Sequence, residues 1–182
     1  MTRISAAIFA GGKSSRFGTP KINATLDGYE FGRRIVSAIR QVHSGEIFQI
    51  GGNPADADKF EITYVADEFV DQGPFGALIT ALRTCDSEFL MILPCDVPYI
   101  DAACCEQLLA LSDDADARIA FTDSPQWLCS TWRVSILQNM STLFDCGERS
   151  IHKVVENIRY EFVNVSAGSL KNVNVQSDLG DE

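Results

Sequence analysis

The segment from position 10 to position 21 concentrates the residue types that bind phosphate. It reads Ala10-Gly11-Gly12-Lys13-Ser14-Ser15-Arg16-Phe17-Gly18-Thr19-Pro20-Lys21. Glycines that directly follow a buried strand allow backbone N–H groups to approach phosphate oxygens without a Cβ in the way. Arg16 and Lys21 add positive charge at the same place. The pattern therefore indicates a site for a triphosphate.

Two familiar phosphate-binding patterns do not fit this segment. It lacks the spacing and the terminal Lys-Ser/Thr of a P-loop, and it is not the Gly-x-Gly-x-x-Gly of dinucleotide-binding folds. An ordinary strand-to-helix loop with solvated charges is the simpler alternative. Phosphate binding is favoured over it because the glycines, the hydroxyls and three cations (Lys13, Arg16 and Lys21) lie together in an otherwise acidic chain.

A second candidate position is Asp96. It follows Phe89–Leu93, an unbroken apolar run typical of a buried strand, and it lies in a turn bracketed by Pro94 and Pro98. Such a turn holds a carboxylate rigidly at the edge of the sheet, and Mg²⁺ often uses only one or two protein carboxylates besides phosphates and water. Asp96 is therefore either a metal ligand or the cap of its own turn.

Composition limits the partners of this chain. Its 182 residues carry a net charge of -10, which disfavours a sequence-independent grip on nucleic acid or on an anionic membrane. No apolar run is long enough for a transmembrane helix, and the first residues show no signal-peptide layout. The six cysteines lack zinc-like spacing and are interpreted as reduced thiols. We expect a protein of the cytoplasm with no nucleic acid or membrane partner.

Strand and helix patterns alternate along most of the chain. Strands are predicted at Ile4–Phe9, Ile47–Ile50, Ile62–Val65, Phe89–Leu93, Arg118–Phe121, Trp127–Trp132 and Tyr160–Val165. Helices are predicted at Glu30–Val42, Phe75–Leu82, Asp101–Leu111, Ser135–Phe144 and Ile151–Asn157. This order predicts a single α/β domain, 1–182, built as a three-layer α/β/α sandwich around a mainly parallel sheet. Ligands of such sheets bind at the carboxyl ends of the strands.

Five segments of the chain together resemble the molybdenum cofactor guanylyltransferase family. The family opens with Leu-Ala-Gly-Gly-x-Ser-x-Arg-Met-Gly and a nearby Lys, and continues with Gly-Pro-Leu-Ala-Gly, Cys-Asp-x-Pro, Gly-x-Arg and Asn-x-Asn. The corresponding segments here are 9–18 with Lys21, Gly73-Pro74-Phe75-Gly76-Ala77-Leu78, Cys95-Asp96-Val97-Pro98, Gly147-Glu148-Arg149 and Asn172-Val173-Asn174. The likeness runs over nearly the whole chain. It departs from the family at Pro20, where an acidic residue is common, and at Val175-Gln176-Ser177, where Thr-Pro-Glu is usual.

The resemblance implies a Rossmann-like, nucleotide-diphospho-sugar-transferase type of fold. It implies transfer of GMP from GTP to the phosphate of molybdopterin, with Mg²⁺ as the metal and with transient contacts to cofactor-synthesis or molybdoenzyme proteins. The nucleotide would lie on about residues 1–100 and the acceptor on about 101–182. Transfer from CTP, another acceptor such as a sugar phosphate, and a non-catalytic nucleotide-binding regulator stay open as alternatives.

The resemblance also implies roles for individual residues. Arg16, Lys21 and Asp96 would be catalytic, and Asp96 would bind the metal. Asn53 and Asp67, each at the end of a predicted strand, would join the nucleotide site, although Asn53 before a proline is also ordinary turn chemistry. The full nucleotide-binding set is Phe9, Ala10, Gly11, Gly12, Lys21, Asn53, Asp67 and Asp96. The acceptor-binding set is Gly76, Asn172 and Asn174, the two asparagines having surface loop amides as their alternative interpretation.

Overall fold

A computed structural model describes residues 3–11, 20–43 and 45–173 of the chain. The strands are β1 (Ile4–Phe9), β2 (Thr25–Leu26), β3 (Tyr29–Glu30), β4 (Ile47–Ile50), β5 (Thr63–Val65), β6 (Phe89–Pro94), β7 (Ala117–Phe121), β8 (Pro125–Arg133) and β9 (Tyr160–Asn164). The α-helices are α1 (Phe31–Val42), α2 (Pro54–Phe60), α3 (Gly73–Thr84), α4 (Ala102–Leu109), α5 (Leu137–Asp145) and α6 (Ile151–Val155).

Within the described residues, seven strands form one sheet in the order β5-β4-β1-β6-β8-β7-β9. The pairs β5–β4, β4–β1, β1–β6 and β7–β9 are parallel, whereas β8 runs antiparallel to both of its neighbours. Because β8 reverses direction once on each side, β7 and β9 again run parallel to β6. The carboxyl ends of β1, β4, β5 and β6 therefore share one edge of the sheet with the amino end of β8.

Helices cover both faces of this sheet. Alternate residues of β1 point to opposite sides, so Ala7 and Phe9 pack into one core and Ala6 and Ile8 into the other. The first core is completed by α3, α5 and α6, and the second by α1, α4 and Phe60 of α2. The predicted three-layer α/β fold with a mainly parallel sheet is thus confirmed.

One helix was absent from the sequence prediction. The segment 51–54 was interpreted as a turn, yet its Pro54 opens α2, with Asn53 as the N-cap residue. The carboxamide oxygen of Asn53 accepts a hydrogen bond from the N–H of Ala55 at 3.0 Å. This is the capping role in which asparagine is favoured, and proline is favoured directly after it.

Candidate active site

A cleft of about 920 Å³ opens at the carboxyl edge of the sheet. The ends of β1, β4, β5 and β6, the start of α3 and one residue of β8 contribute to it. The residues that line it are Phe9, Ala10, Gly11, Lys21, Ile50, Gly51, Gly52, Tyr64, Ala66, Asp67, Val70, Asp71, Gly73, Pro74, Ala77, Pro94, Cys95, Asp96 and Leu128. The cleft lies where a parallel sheet presents its ligand site.

Lys21 and Asp96 meet in this cleft although 75 positions separate them. The Nζ of Lys21 donates to Oδ2 of Asp96 at 3.0 Å, and each side chain keeps about a fifth of its surface exposed. Two of the three residues predicted to be catalytic are therefore neighbours. The third, Arg16, lies outside the described residues, as does Gly12 of the predicted nucleotide site.

Backbone hydrogen bonds fix the position of Asp96 from two sides. The N–H of the preceding Cys95 donates to the carbonyl of Phe9 at 3.2 Å, which joins the loop after β6 to the end of β1. The N–H of Val173 donates to the carbonyl of Asp96 itself at 2.9 Å. Val173 is fully buried against Ala24 and Phe31. The carboxyl-terminal segment that contains Asn172 is thus packed directly behind the loop of Asp96.

Cys95 is not a nucleophile in this arrangement. Burial raises the pKa of its thiol to about 12, and the neighbouring charge of Asp96 acts in the same direction. A thiol needs a lowered pKa to react as a thiolate near neutral pH. Cys95 therefore serves as a buried apolar side chain beside the carboxylate.

Two glycines give the turn after β4 its shape. Gly51 and Gly52 have φ angles of +70° and +74°, a left-handed conformation that is strained for other residues. A Cβ on Gly51 would lie 3.3 Å from the Cα of Gly11, so the two glycine segments approach each other backbone to backbone. The fully buried Gln49 supports the turn, since its Nε2 donates to the carbonyls of Gly51 and Asn53 at 3.0 Å each.

Asp67 lines the cleft at the end of β5. Its Oδ1 accepts hydrogen bonds from the N–H of Phe69 at 2.9 Å and from the hydroxyl of Thr80 at 3.1 Å. These contacts tie the turn after β5 to α3. Asp67 therefore holds the wall of the cleft while its carboxylate remains part of the lining.

Three further predicted site residues, Asn53, Gly76 and Asn172, are described by the structure but do not line the cleft. Asn53 is exposed next to Gly52, with its carboxamide oxygen engaged in capping α2. Gly76 is buried in α3, where a Cβ would come within 2.7 Å of the Cβ of Phe69. Asn172 is exposed beside Val173, and Asn174 lies outside the described residues. Their predicted roles in base and acceptor binding stay predictions.

Sequence reasoning missed three polar side chains at the site. Tyr64 and Asp71 line the cleft, and Gln49 supports its glycine turn. The signal for Gln49 was present, because a glutamine within the apolar run Ile47–Ile50 has to find buried partners for its amide. Tyr64 and Asp71 carry no pattern of their own, and only the fold brings them to the cleft.

The carboxylate chemistry of the site suits one kind of metal ion. In the part of the chain that the structure describes, no three His, Cys, Asp or Glu side chains are grouped so that they hold a metal by themselves. Three carboxylates of the described residues line the cleft, Asp67, Asp71 and Asp96, and Asp96 is the one that pairs with Lys21. A carboxylate that binds a cation together with substrate phosphates and water is the arrangement typical of a hard divalent ion such as Mg²⁺.

Comparisons with known proteins agree with this geometry. The family model described as MobA-like NTP transferase domain matches residues 6–162. A probable molybdenum cofactor guanylyltransferase from Clostridium perfringens is 29% identical over 172 positions, covering 88% of this chain and 85% of the relative. One from Bacillus cytotoxicus is 23% identical over 192 positions, covering 100% of this chain and 96% of the relative.

Solved structures show the same fold. The crystal structure of molybdopterin-guanine dinucleotide biosynthesis protein A from Archaeoglobus fulgidus superposes with a TM-score of 0.77 at 20% identity. The superposition covers 96% of this chain and 94% of that one.

None of the helices within 3–11, 20–43 and 45–173 has the length and apolar content needed to cross a bilayer.

Proposed function

This chain belongs to the MobA-like NTP transferase domain family, and from that premise we propose that it transfers GMP from GTP to the phosphate of molybdopterin and releases pyrophosphate. The chain is a nucleotidyltransferase, and the choice of GTP and molybdopterin is the proposal. It is supported by relatives named molybdenum cofactor guanylyltransferase that match over 88% and 100% of this chain.

The observation that carries the proposal is the pairing of Lys21 with Asp96 at 3.0 Å beside two glycine segments. A triphosphate brings several negative charges, so its site needs a cation and close backbone approach. The acceptor phosphate brings further negative charge to the same place. A cleft with both a lysine and a metal-binding carboxylate suits a reaction between two anions.

The bond changes follow from the two substrates. An oxygen of the molybdopterin phosphate attacks the α-phosphorus of GTP, a new P–O bond forms, and the bond to the β-phosphate oxygen breaks with its electron pair leaving on pyrophosphate. The attacking oxygen is already ionised near neutral pH, so no general base is required. The task of the chain is to hold both anions in line and to balance their charge.

The residues divide this task. Backbone N–H groups of the glycine segment that begins at Gly11, with Lys21 and Arg16, hold the phosphates. Asp96 holds Mg²⁺, which supplies Lewis-acid stabilisation of the phosphate charge. Asn53 and Asp67 contact the nucleoside, and Gly76, Asn172 and Asn174 form the acceptor side.

The wider assignments rest on the same family membership. We infer one domain, with the nucleotide on about residues 1–100 and the acceptor on about 101–182. Among the described residues that line the cleft, all but Leu128 precede position 100. The cytoplasm is the proposed location, and transient contact with cofactor-synthesis or molybdoenzyme proteins is proposed for product transfer.

A panel of nucleotides tests the proposal. Pyrophosphate release is measured with GTP, CTP, ATP and UTP, each with Mg²⁺ and molybdopterin. The proposal predicts release with GTP and little with the other three. Release with CTP alone would replace guanylyl by cytidylyl transfer, and GTP binding without release under any acceptor would favour a regulator.

A further inference from the structure

A hydrogen-bonded network holds the segment that contains Lys21 against helix α2. Asn23 is its centre: its Nδ2 donates to Oδ1 of Asp56 at 2.8 Å, and its Oδ1 accepts from Nζ of Lys59 at 3.2 Å. Lys59 also forms an ion pair with Glu30, the residue before α1. The side chain of Asn23 is therefore held from both ends of its amide.

The burial of Asp56 in this network is energetically unfavourable. The residue is only 7% exposed, yet its Oδ2 has no hydrogen-bond partner among the described residues. Burying a carboxylate oxygen without a partner is unfavourable, and a buried group of this kind calls for an explanation other than stability. Its position in the first turn of α2 offsets part of the penalty, since negative charge is favourable at a helix amino terminus.

The network joins two sides of the cleft. Asn23 closes the short 3-10 turn Lys21–Asn23, so its position sets where the backbone of Lys21 lies. Asp56 lies in the first turn of α2, which begins directly after the glycine turn that lines the cleft. Ile22 lies between Lys21 and Asn23 in the chain and is only 1% exposed. Its buried side chain anchors the turn in the core.

We propose that Asn23 and Asp56 are positioning residues that hold Lys21 at a fixed spacing from the glycine turn Gly51–Gly52. Lys21 then meets the phosphates of a nucleotide while the turn after β4 meets its nucleoside part. The inference rests on the proposed function, because it names the residues that set the geometry of that nucleotide site. Neither Asn23 nor Asp56 touches the nucleotide.

The test separates nucleoside binding from phosphate binding in the full chain. Calorimetry with Mg²⁺ gives the affinity for GTP, and displacement of a fluorescent GTP analogue gives the affinity for guanosine, which has no phosphate. Asn23→Ala is expected to weaken GTP binding about tenfold, which corresponds to about 1.4 kcal/mol, and to leave guanosine binding unchanged. A general loss of structure would weaken both ligands alike.

A double substitution shows whether Asn23 acts through Lys21. In a Lys21→Ala background, Asn23→Ala is expected to cause no further loss of GTP affinity, because the group that it positions is gone. Additive losses would overturn the inference. If Asn23→Ala failed to fold, Lys59→Met provides a second entry to the network, since Lys59 is partly exposed and its removal frees Oδ1 of Asn23.

A swap of the two groups provides the rescue. In the double variant Asn23→Asp with Asp56→Asn, the new amide at position 56 donates to the new carboxylate at position 23. That carboxylate also lies beside Lys59. The GTP affinity is therefore expected to return to within about threefold of the wild type. Asp116→Ala is the control, a partly buried carboxylate at the opposite edge of the sheet. It is expected to lower stability and leave both affinities unchanged.

The outcomes distinguish the inference from the proposed function. Wild-type binding of GTP with an unchanged affinity in Asn23→Ala would overturn the positioning role alone. A wild type that binds no nucleoside triphosphate would overturn the proposed function and the positioning role with it. Loss of GTP affinity in Asn23→Ala, with no rescue by the swap, would also count against the network.

Discussion

The pair of Lys21 and Asp96 is best explained by function rather than stability. Each side chain is about four-fifths buried, and the cost of removing both charges from water can cancel the attraction within such a pair, so the pair is weak evidence for stability. It lies at the meeting point of the glycine segments, in the cleft where four parallel strands end. Its charges balance each other in the free protein, and each is available to a substrate phosphate or a metal ion when these bind.

Replacement of Asp96 tests its assignment as metal ligand. Asp96→Ala is expected to lower turnover by roughly 10²-fold or more, the scale found when a group that stabilises the transition state is lost. The thermal midpoint is measured alongside, because breaking a largely buried ion pair also lowers stability and this loss has to be separated from the loss of turnover. The measurement is pyrophosphate release as a function of Mg²⁺ concentration. Asp86→Asn, at the amino end of β6, is the control, and full activity of Asp96→Ala would remove the metal assignment.

Lys21 is expected to compete with a metal ion for Asp96. With Lys21 in place, a cation already lies 3.0 Å from Oδ2, so a divalent ion has to displace it or arrive with a nucleotide that attracts the lysine. Lys21→Met removes this competitor. We expect Mn²⁺, measured by electron paramagnetic resonance without nucleotide, to bind the variant severalfold more tightly than the wild type.

Lys153→Met removes a lysine that pairs with Glu148 instead, and it is the control for net charge. Equal Mn²⁺ affinity in the wild type and in Lys21→Met would contradict the competition. Weaker GTP binding by Lys21→Met is expected in the same preparation, because the lysine is then missing from the phosphate site.

At the scale of elements, the sequence predicted what periodicity and capping determine. Unbroken apolar runs located β1 and β6. The helix predicted to start at Asp101 was also found, and Asp101 is its N-cap residue, whose Oδ1 accepts from the N–H of Cys104 at 2.8 Å. Helix α2 was missed because a Gly-Gly-Asn-Pro string is typical of a turn. The signal that distinguishes it is the Asn-Pro pair followed by Asp56, since these residues cap and charge a helix start.

The direction of β8 could not be read from the residues. An apolar run has the same composition in a parallel and in an antiparallel strand, and direction depends on which neighbours the chain reaches. The consequence is functional, because the reversal brings Leu128, at the amino end of β8, to the edge where the parallel strands end. Only the topology shows this.

Gly76 in α3 supports a prediction that separates packing from ligand binding. A Cβ there would lie 2.7 Å from the Cβ of Phe69 and 3.2 Å from its carbonyl oxygen, so the turn after Asp67 has to move. Gly76→Ala is expected to lower the free energy of unfolding by about 1–3 kcal/mol, the usual cost of an overpacked site. Chemical denaturation measures it.

Gly168→Ala is the matched control, because its Cβ would meet only Ser166 at an ordinary 3.5 Å. If Gly76 also contacts the acceptor, the Michaelis constant for the acceptor would rise more than that for GTP. An unchanged stability in Gly76→Ala would contradict the packing argument.

Asp116 provides a prediction for the pH dependence of stability. Burial acts to raise the pKa of its carboxyl group, but hydrogen bonds and charge from Arg159 outweigh this and lower the pKa below its ordinary value of 3.8. A lowered pKa in the folded state stabilises the protein above pH 3.8, and this contribution disappears as the pH falls through the folded-state value.

Asp116→Asn is therefore expected to be less stable than the wild type at pH 7. The difference is expected to shrink as the pH falls below about 4 and to vanish below the folded-state pKa, where the wild-type carboxyl group is itself protonated. Urea denaturation at a series of pH values measures both curves. Parallel curves down to acidic pH would show that Asp116 does not contribute in this way.

At the scale of the molecule, the chain is strongly acidic yet carries a site for anions. Its net charge is -10, so the long-range field opposes the approach of GTP and of a phosphorylated acceptor. Binding has to come from short-range cations and backbone groups. The sequence could predict this contrast, because the cations near the first glycines stand out against the acidic remainder. The sequence could not show that the distant carboxylate of Asp96 lies next to Lys21, because only the fold brings the two together.

The six cysteines give a whole-molecule test, because they report on both cores of the sandwich. None forms a disulfide, and five are buried while Cys146 is exposed. Cys85 lies in the core beneath α3, and the others lie in the opposite core: Cys95, Cys104, Cys105 and Cys129. Burial raises the pKa of Cys95, Cys104 and Cys105 to about 12, and it raises the pKa of the other two buried thiols as well.

A thiol reagent such as dithionitrobenzoate at pH 8 is therefore expected to titrate one cysteine rapidly in the native protein and the other five only after unfolding in guanidinium. Cys146→Ser is expected to abolish the rapid phase. If the two cores open as one unit, the five slow thiols react at a single rate, and GTP with Mg²⁺ slows that rate because a ligand of the native state lowers the open population. Rapid modification of any thiol in Cys146→Ser would contradict the burial of the other five cysteines. Two separate slow rates would instead show that the core that contains Cys85 and the core that contains Cys95 open independently.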